Sequence, residues 1–356
     1  MKIQSALKTY TLHFENSFDF LGALAQKPST VYVIDENVYR LYPDAFANVQ
    51  EDNLIRIVAT EEHKTIATAL DICERMTNLP AKRNAHLIAV GGGIVQDIAG
   101  FAANILYRGI SWTLIPTTLL AACDSCIGGK TSLNYKSYKN LLGTFYPPDD
   151  IFIAPAFFAT LTEQDFKSGL GEVLKFNIMQ GFDNLTALEQ DLALLLQRDP
   201  ETVMRYLRSS LQYKKAFIEV DEFDRNERIK LNFAHTFGHA IETVSHYGIP
   251  HGTAVAIGML MANDVAHERG LLGSQMRLRC DELLLPIITI PLKLTDIPTE
   301  QFIAAMRKDK KQSSNQLTAV LLTDANDLIL LHDLQEAEVA HAIAHFQQLY
   351  DSRNPV

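Results

Sequence analysis

A strand pattern that is apolar throughout, His86-Leu-Ile-Ala-Val90, runs directly into Gly91-Gly92-Gly93 and then into a helical pattern from about Val95 to Leu106. This junction constrains the chain more than any other feature. An apolar strand that turns through glycines into a helix must be covered on both faces, as in a parallel α/β sheet. The neighbouring segments agree. Thr30-Val-Tyr-Val-Ile34, Leu54-Ile-Arg-Ile-Val58 and Trp112-Thr-Leu-Ile115 read as further strands, and Lys64 to Thr77 has helical periodicity between them. The first of these ends in Asp35-Glu36-Asn37 and the last is stopped by Pro116-Thr117-Thr118. Backbone N–H groups at the start of the helix after Gly93 could bind a phosphate or pyrophosphate. Gly91 and Gly93 fit the first two glycines of G-x-G-x-x-G, but Gln96 stands at the third, and the next strand offers no acidic residue for a ribose. A plain tight βα turn is therefore an equal reading of this segment alone.

The stretch from Ala121 to Asp150 breaks the pattern, being rich in Gly, Ser, Asn, Lys and Tyr with no clear period. A long polar loop inside a compact domain is usually functional or disordered, and the lysines, asparagines and aromatics of this one favour function. Gly128-Gly129-Lys130-Thr131 resembles the end of a P-loop, but Asp124 occupies the position of its first glycine, which excludes ATP binding by that route. Cys123-Asp-Ser-Cys126 has no second C-x-x-C to complete a zinc site, so two small buried residues are the better reading. After Ile151-Phe-Ile-Ala-Pro155 the pattern becomes helical, over 162–180, 184–197, 200–220, 229–245, 252–268 and 299–308. A hairpin, 317–322 with 328–331, precedes a last helix near 335–350. These patterns divide the chain into an α/β domain, 1–155, and a mainly helical domain, 156–356. At 356 residues the chain exceeds one ordinary core. Its net charge of -10 disfavours nucleic acid and anionic membranes as partners, although a local cluster of Lys and Arg can still hold an anionic substrate. Neither a secretory h-region nor a membrane-length apolar run is present, and four cysteines make no disulfide framework, so a reducing cytoplasm is expected.

The chemistry concentrates in Asn232-Phe-Ala-His235-Thr-Phe-Gly-His239-Ala-Ile-Glu242, followed by His251-Gly252. His235 and His239 are four apart and share one face of a helix, so spacing nominates them for a metal. For that pair alone, ordinary core histidines are the commoner case; His251 at a helix start strengthens the metal reading. Gly169-Leu-Gly-Glu172-Val-Leu-Lys175 lies in an apolar helical pattern. A buried carboxylate there needs a partner or a metal, and Glu172 could complete a Glu/His/His set that leaves an ion open to substrate. Arg228, Asn232 and His235 would lie on one helix face; Arg228 and Lys214 together suit a phosphate or carboxylate ligand, although each alone reads as a surface charge.

Taken together, these motifs resemble the 3-dehydroquinate synthase family and the wider sugar phosphate cyclases, from about Val31 to Lys311. The specific pieces are Gly91-Gly-Gly-Ile-Val-Gln-Asp97, Pro116-Thr-Thr-Leu119, Asp124-Ser-Cys-Ile-Gly-Gly-Lys130-Thr, Lys139-Asn140, Gly171-Glu172-Val-Leu-Lys175 and the histidine segment. The resemblance implies a Rossmann-like N-terminal domain that binds NAD and a helical C-terminal domain that binds zinc or cobalt, in an enzyme that acts as a homodimer on a small sugar phosphate. It implies Glu172, His235 and His251 as metal ligands and moves His239 to the substrate. By the same resemblance, Arg108, Asp124, Lys130, Asn140, Lys175, Lys214, Arg228, Asn232, His239 and Lys311 (rather than Lys310) would meet 3-deoxy-D-arabino-heptulosonate 7-phosphate. NAD would meet Asp35, Asn37, Glu61, Lys64, Gly92, Gly93, Asp97, Thr117, Thr118, Lys139 and the segment from Phe157 to Thr160. His235, Asp224, Lys175 and Lys130 would carry catalysis, with His235 and Asp224 in proton transfer.

The chain also departs from the family pattern. Gln96 and Ala234 replace usual glycines, Asp224 is a shorter acid than the usual Glu, Ser168 stands where some members carry Asn, and Ser125-Cys126 and Ser132-Leu133-Asn134-Tyr135 alter the substrate loop. These changes suggest a divergent branch. The alternatives are a cyclase of another sugar phosphate, a metal-dependent polyol dehydrogenase, and a non-catalytic relative. The retained cationic set, with Asn232, argues against the first two, and intact Glu172, His235 and His251 argue against the third.

Overall fold

The computed structural model describes residues 1–78, 83–136, 138–308 and 316–353. They divide into two compact units: Met1–Thr162 with Lys215–Phe223, and Glu163–Lys214 with Asp224–Val356. The boundary expected near Pro155 lies here between Thr162 and Glu163, and the strip Lys215–Phe223 joins the first unit.

The first unit is built on the strands β1 (Lys2–Ile3), β2 (Tyr10–Phe14), β3 (Thr30–Asp35), β4 (Leu54–Ile57), β5 (His86–Gly91), β6 (Ser111–Pro116), β7 (Lys130–Tyr135), β8 (Tyr138–Phe145) and β9 (Asp150–Ile153). Seven of them form one sheet in the order β1-β2-β9-β6-β5-β3-β4, parallel at every step except the edge pair β1/β2. The central strands are fully buried, with Val33, Ile34, Leu87, Val90, Leu114 and Ile115 inaccessible to water. That explains why they read as unbroken apolar runs rather than as alternating strands. The helices are α1 (Asp19–Ala25), α2 (Glu36–Leu41), α3 (Ile66–Asn78) and α4 (Gly93–Ile105). Strand β3 leads outward to β4, and β5 leads the other way to β6, so the chain reverses direction between β3 and β5. Their carboxyl ends, Asp35 and Gly91, flank the crevice where open α/β sheets bind ligands.

The stretch 121–150, whose sequence shows no clear period, nonetheless contains regular structure. It holds a π-helical turn, Ala121–Ser125, and the antiparallel hairpin β7/β8. Only Thr131 and Leu133 of β7 are buried, and much of the hairpin is held by polar side chains described below, so it carries no hydrophobic period.

The second unit contains α5 (Glu163–Ile178), α6 (Phe182–Leu196), most of α7 (Pro200–Val220), α8 (His235–Val244), α9 (His251–Glu268), α10 (Ser274–Leu284), α11 (Thr299–Arg307), the antiparallel pair β10 (Leu317–Leu322) and β11 (Leu328–Leu334), and α12 (Glu336–Arg353). Helix α9 is its axis. Every residue from Gly252 to Ala266 is buried, and α5, α8, α10 and α12 pack around it. Among the described residues no helix is long and apolar enough to cross a membrane.

One expectation is overturned. The helix read over 229–245 is interrupted: Glu227–Asn232 is a 3-10 turn, Ala234 takes a left-handed backbone at φ 70°, and α8 starts afresh at His235. Arg228, Asn232 and His235 therefore do not share one helix face. The sequence hides the break because neither glycine nor proline marks it.

Candidate active site

Three helices of the second unit converge on one buried carboxylate. Glu172 of α5 is wholly inaccessible, and its Oε1 lies 3.5 Å from Nε2 of His235 and 3.6 Å from Nε2 of His251. Two glycines make this approach possible. A Cβ on Gly171 would overlap the backbone of Gly252, and one on Gly252 would overlap the Ser168 carbonyl, so α5 and α9 touch at the residues adjoining Glu172 and His251. Ser168 Oγ also accepts the Gly252 N–H at 3.1 Å, answering one donor at the start of α9.

The remaining imidazole nitrogens face acceptors. His235 Nδ1 lies 3.0 Å from the Phe233 carbonyl, and His251 Nδ1 lies 3.1 Å from Glu242 Oε2. Each contact favours a proton on Nδ1 and leaves Nε2, on the Glu172 side, as the nitrogen that can ligate a metal, the arrangement metal-binding histidines adopt. Burial lowers the His251 imidazole, but hydrogen bonds and charges from Glu172 and Glu242 outweigh it and lift the ring to about 10. Lys175 Nζ pairs with the other oxygen of Glu172 at 2.6 Å and donates to the Leu231 carbonyl at 3.1 Å. His239 is one helical turn from His235, with ring centroids 5.4 Å apart and 5.9 Å from His251. Donor atoms of Glu172, His235 and His251 fall within 4.8 Å of one another, and so do those of His239, Glu242 and His251. The geometry thus brings together all three histidines that the sequence singled out. It adds Glu242, whose signal was its place three residues after His239 on the same helix face.

Of the other residues expected to meet substrate, Lys214 and Arg228 are buried and Asn232 and His239 half-buried in the second unit. Long cations are seldom buried unless paired, so their burial marks a built environment. Asp224 follows α7 with φ 57° and a buried Oδ1. Lys311 lies outside the described residues. In the first unit Arg108 is exposed in the turn after α4, Asp124 lies in the π-helical turn, and Lys130 opens β7.

The residues expected to meet nucleotide gather around the carboxyl ends of β3, β5 and β6. Gly92 is the N-cap of α4 and has no side chain with which to cap it, so the first turn's N–H groups are the kind a phosphate can meet. Thr117 and Thr118 follow β6, and a Cβ on Gly92 would crowd the Thr118 side chain. Asp35 caps α2 by accepting the Asn37 N–H at 3.0 Å, and burial raises its carboxyl above the usual range. Lys64 Nζ pairs with Asp97 at 2.6 Å and donates to Asn140 Oδ1 at 2.7 Å. Ser132 bonds to both Asp97 and Asn140, and Asn134 bonds to Glu61, which also faces Lys139 at 3.7 Å. Burial pushes the Asp97 carboxyl up, and Lys64 and Ser132 oppose it. Asn140, expected at the substrate, has its side chain in this network. Phe157 packs against Tyr42, whose hydroxyl lies 2.8 Å from Thr160 Oγ1.

Gln96 joins the same region to the loop. It is buried, its Nε2 donates to the Ser125 carbonyl at 2.6 Å, and its Oε1 accepts from Ser125 Oγ at 2.9 Å. Two departures noted in the sequence are thus one reciprocal pair.

Comparison with known proteins bears on both units. Residues 54–168 match the family described as 3-dehydroquinate synthase N-terminal, and residues 169–312 match 3-dehydroquinate synthase C-terminal. The 3-dehydroquinate synthase of Dictyoglomus turgidum is 35% identical over 296 residues, 82% of each chain. Among solved structures, 2-epi-5-epi-valiolone synthase from Streptomyces hygroscopicus subsp. jinggangensis, with NAD+ and Zn2+ bound, is similar at TM-score 0.85 and 28% identity, covering 97% of this chain and 99% of that one. A 2-deoxy-scyllo-inosose synthase complexed with carbaglucose-6-phosphate, NAD+ and Co2+ gives TM-score 0.84 and 25% identity with the same coverage.

Proposed function

The chain belongs to the 3-dehydroquinate synthase family, and from that premise we propose that it converts 3-deoxy-D-arabino-heptulosonate 7-phosphate to 3-dehydroquinate and phosphate. The reaction runs by transient oxidation, loss of phosphate, re-reduction and intramolecular aldol closure. The observation that carries this reading is the Glu172/His235/His251 cage with Lys175 paired to it, in a chain that also retains the first unit's glycine turn and threonines. One carboxylate and two imidazoles suit zinc or cobalt and leave coordination open. The uncapped N-terminus of α4 and the polar groups at Asp35 and Asp97 suit a dinucleotide. When bound, NAD+ supplies reversible hydride acceptance, and the metal acidifies the hydroxyl on the carbon that is oxidised.

The protein's own residues then have the following roles. Glu172, His235 and His251 hold the ion, and Phe233 O and Glu242 hold the two rings in the required tautomer. Both nitrogens of His235 are committed in this arrangement, so proton transfer falls to Asp224 and to groups on the substrate. Lys175 neutralises Glu172 and offers a buried cation to the reacting oxygens. Lys214, Arg228, Asn232 and His239 bind and orient the anionic substrate, with Arg108, Asp124, Lys130 and Lys311 completing the set. Lys64, Glu61, Asp97, Lys139 and Asn140 position the nucleotide. We place the enzyme in the cytoplasm as a homodimer; the absence of disulfides among the described cysteines is compatible with a reducing compartment.

Incubating the purified protein with NAD+, Zn2+ and a panel of sugar phosphates tests the reading. Phosphate release from the heptulosonate, without accumulation of NADH, is expected. Release only from sedoheptulose 7-phosphate, glucose 6-phosphate or an amino analogue would support instead a cyclase of another sugar, which the structural likeness to such enzymes keeps as the second reading.

A further inference from the structure

We propose a second divalent-metal site at the opposite end of α9, formed by Asp264 and Glu268 of α9 and His341 of α12, with His345 beside it. One donor atom from each of Asp264, Glu268 and His341 lies within 4.8 Å of the other two. Asp264 and Glu268 are one turn apart on α9, and His341 and His345 are one turn apart on α12, so each helix presents its pair on one face.

The decisive group is Asp264. It is 1% exposed, and its Oδ2 accepts no hydrogen bond among the described residues. Arg277 Nη1 at 3.0 Å and His345 Nδ1 at 3.1 Å both address the other oxygen, Oδ1. A buried carboxylate oxygen left without a donor is costly unless a cation meets it. Nε2 of His341 stands 3.6 Å from Oδ2, which is long for a hydrogen bond. It is, however, the separation of two ligands sharing an ion, since bonds of about 2.0–2.1 Å at tetrahedral angles place donors roughly 3.3 Å apart. In the Glu172 cage the corresponding separations are 3.5 and 3.6 Å. Glu268 is the last residue of α9, where unpaired carbonyls carry partial negative charge and favour a cation. Glu268 and His341 are exposed, so an ion can exchange with solvent and complete its coordination with water.

The chemical class is a borderline transition ion, zinc or cobalt, because a mixed imidazole and carboxylate set suits these better than magnesium or calcium. Such an ion would clip α12 to the axis of the second unit. Helix α9 would then hold a metal near each end, about 20 Å apart at 1.5 Å per residue over the thirteen residues from His251 to Asp264.

The test is zinc stoichiometry of the full chain after chelator treatment, measured by equilibrium dialysis against Zn2+ with elemental analysis. Native protein is expected to bind two ions per chain. His341→Ala and Glu268→Gln, both at exposed positions, are each expected to bind one and to keep turnover within about twofold of native. A Co2+-loaded native chain should lose about half its visible absorbance in either variant. One ion in the native chain overturns the proposal, and so does a stoichiometry of two that survives both substitutions.

Discussion

Ala234 holds φ 70°, a backbone that costs an L-residue about 1–2 kcal/mol and a glycine almost nothing. Ala234→Gly should therefore stabilise the fold, by on the order of 0.5–1 kcal/mol after the glycine's extra chain entropy, measured as the midpoint of urea unfolding. Glu172 and His239 both stand beside His251, yet they should respond differently to substitution. Glu172→Gln removes a charged ligand from the cage and is expected to abolish tight metal binding. His239→Ala should keep the metal and lower kcat by at least about 100-fold, consistent with a group that acts on substrate. Metal analysis beside turnover separates the two, and the reverse pattern would restore the assignment that i,i+4 spacing suggested. Much of this detail was legible as residue type but not as partnership. Gln96 and Ser125 are 29 positions apart, and nothing in either segment says that they bond to each other. Glu242 showed only as the next acid on the histidine face.

The elements that position the cage depend on contact between backbones. Helices α5 and α9 cross where Gly171 and Gly252 leave no room for a side chain. Gly252→Ala should push the helices apart, cost about 1–3 kcal/mol of stability by overpacking, and weaken zinc binding far more than a substitution elsewhere on α9. Equilibrium unfolding and a zinc titration on the same sample check both effects, and unchanged zinc affinity would remove the crossing from the account of the site. Element by element, the chain was readable where burial imposes an apolar run, as in β3, β5 and β6 and the first strand of the late hairpin. It was unreadable where polar groups or the dihedrals of two residues decide. The β7/β8 hairpin is held to Asp97, Lys64 and Glu61 by Ser132, Asn134 and Asn140, and such bonds leave no hydrophobic rhythm. The break before α8 rests on two residues, Phe233 with ψ 131° and Ala234 with φ 70°.

At the scale of the whole molecule, the first unit is not a continuous piece of sequence. Residues 215–223 belong to it, and Glu219 and Glu222 accept the backbone N–H groups of Gln4 and Ala6 at 2.7 and 2.6 Å, while Phe223 packs edge-on against Phe145 at 5.2 Å. A fragment ending at Thr162 should therefore unfold at lower urea than the same fragment mixed with a peptide spanning 215–223. Equal midpoints would show the strip to be dispensable. The main sheet closes with β9 at Ile153, but the strip that bonds to Gln4 and Ala6, just after its edge strand, ends some sixty residues after Thr162. On a ribosome adding about 5–20 residues per second, that interval is roughly 3–12 s, during which the nascent sheet is complete but its start is unclasped. Synthesis of this chain thus has a built-in waiting period, in which the first half depends on residues that emerge only after α5 and α6.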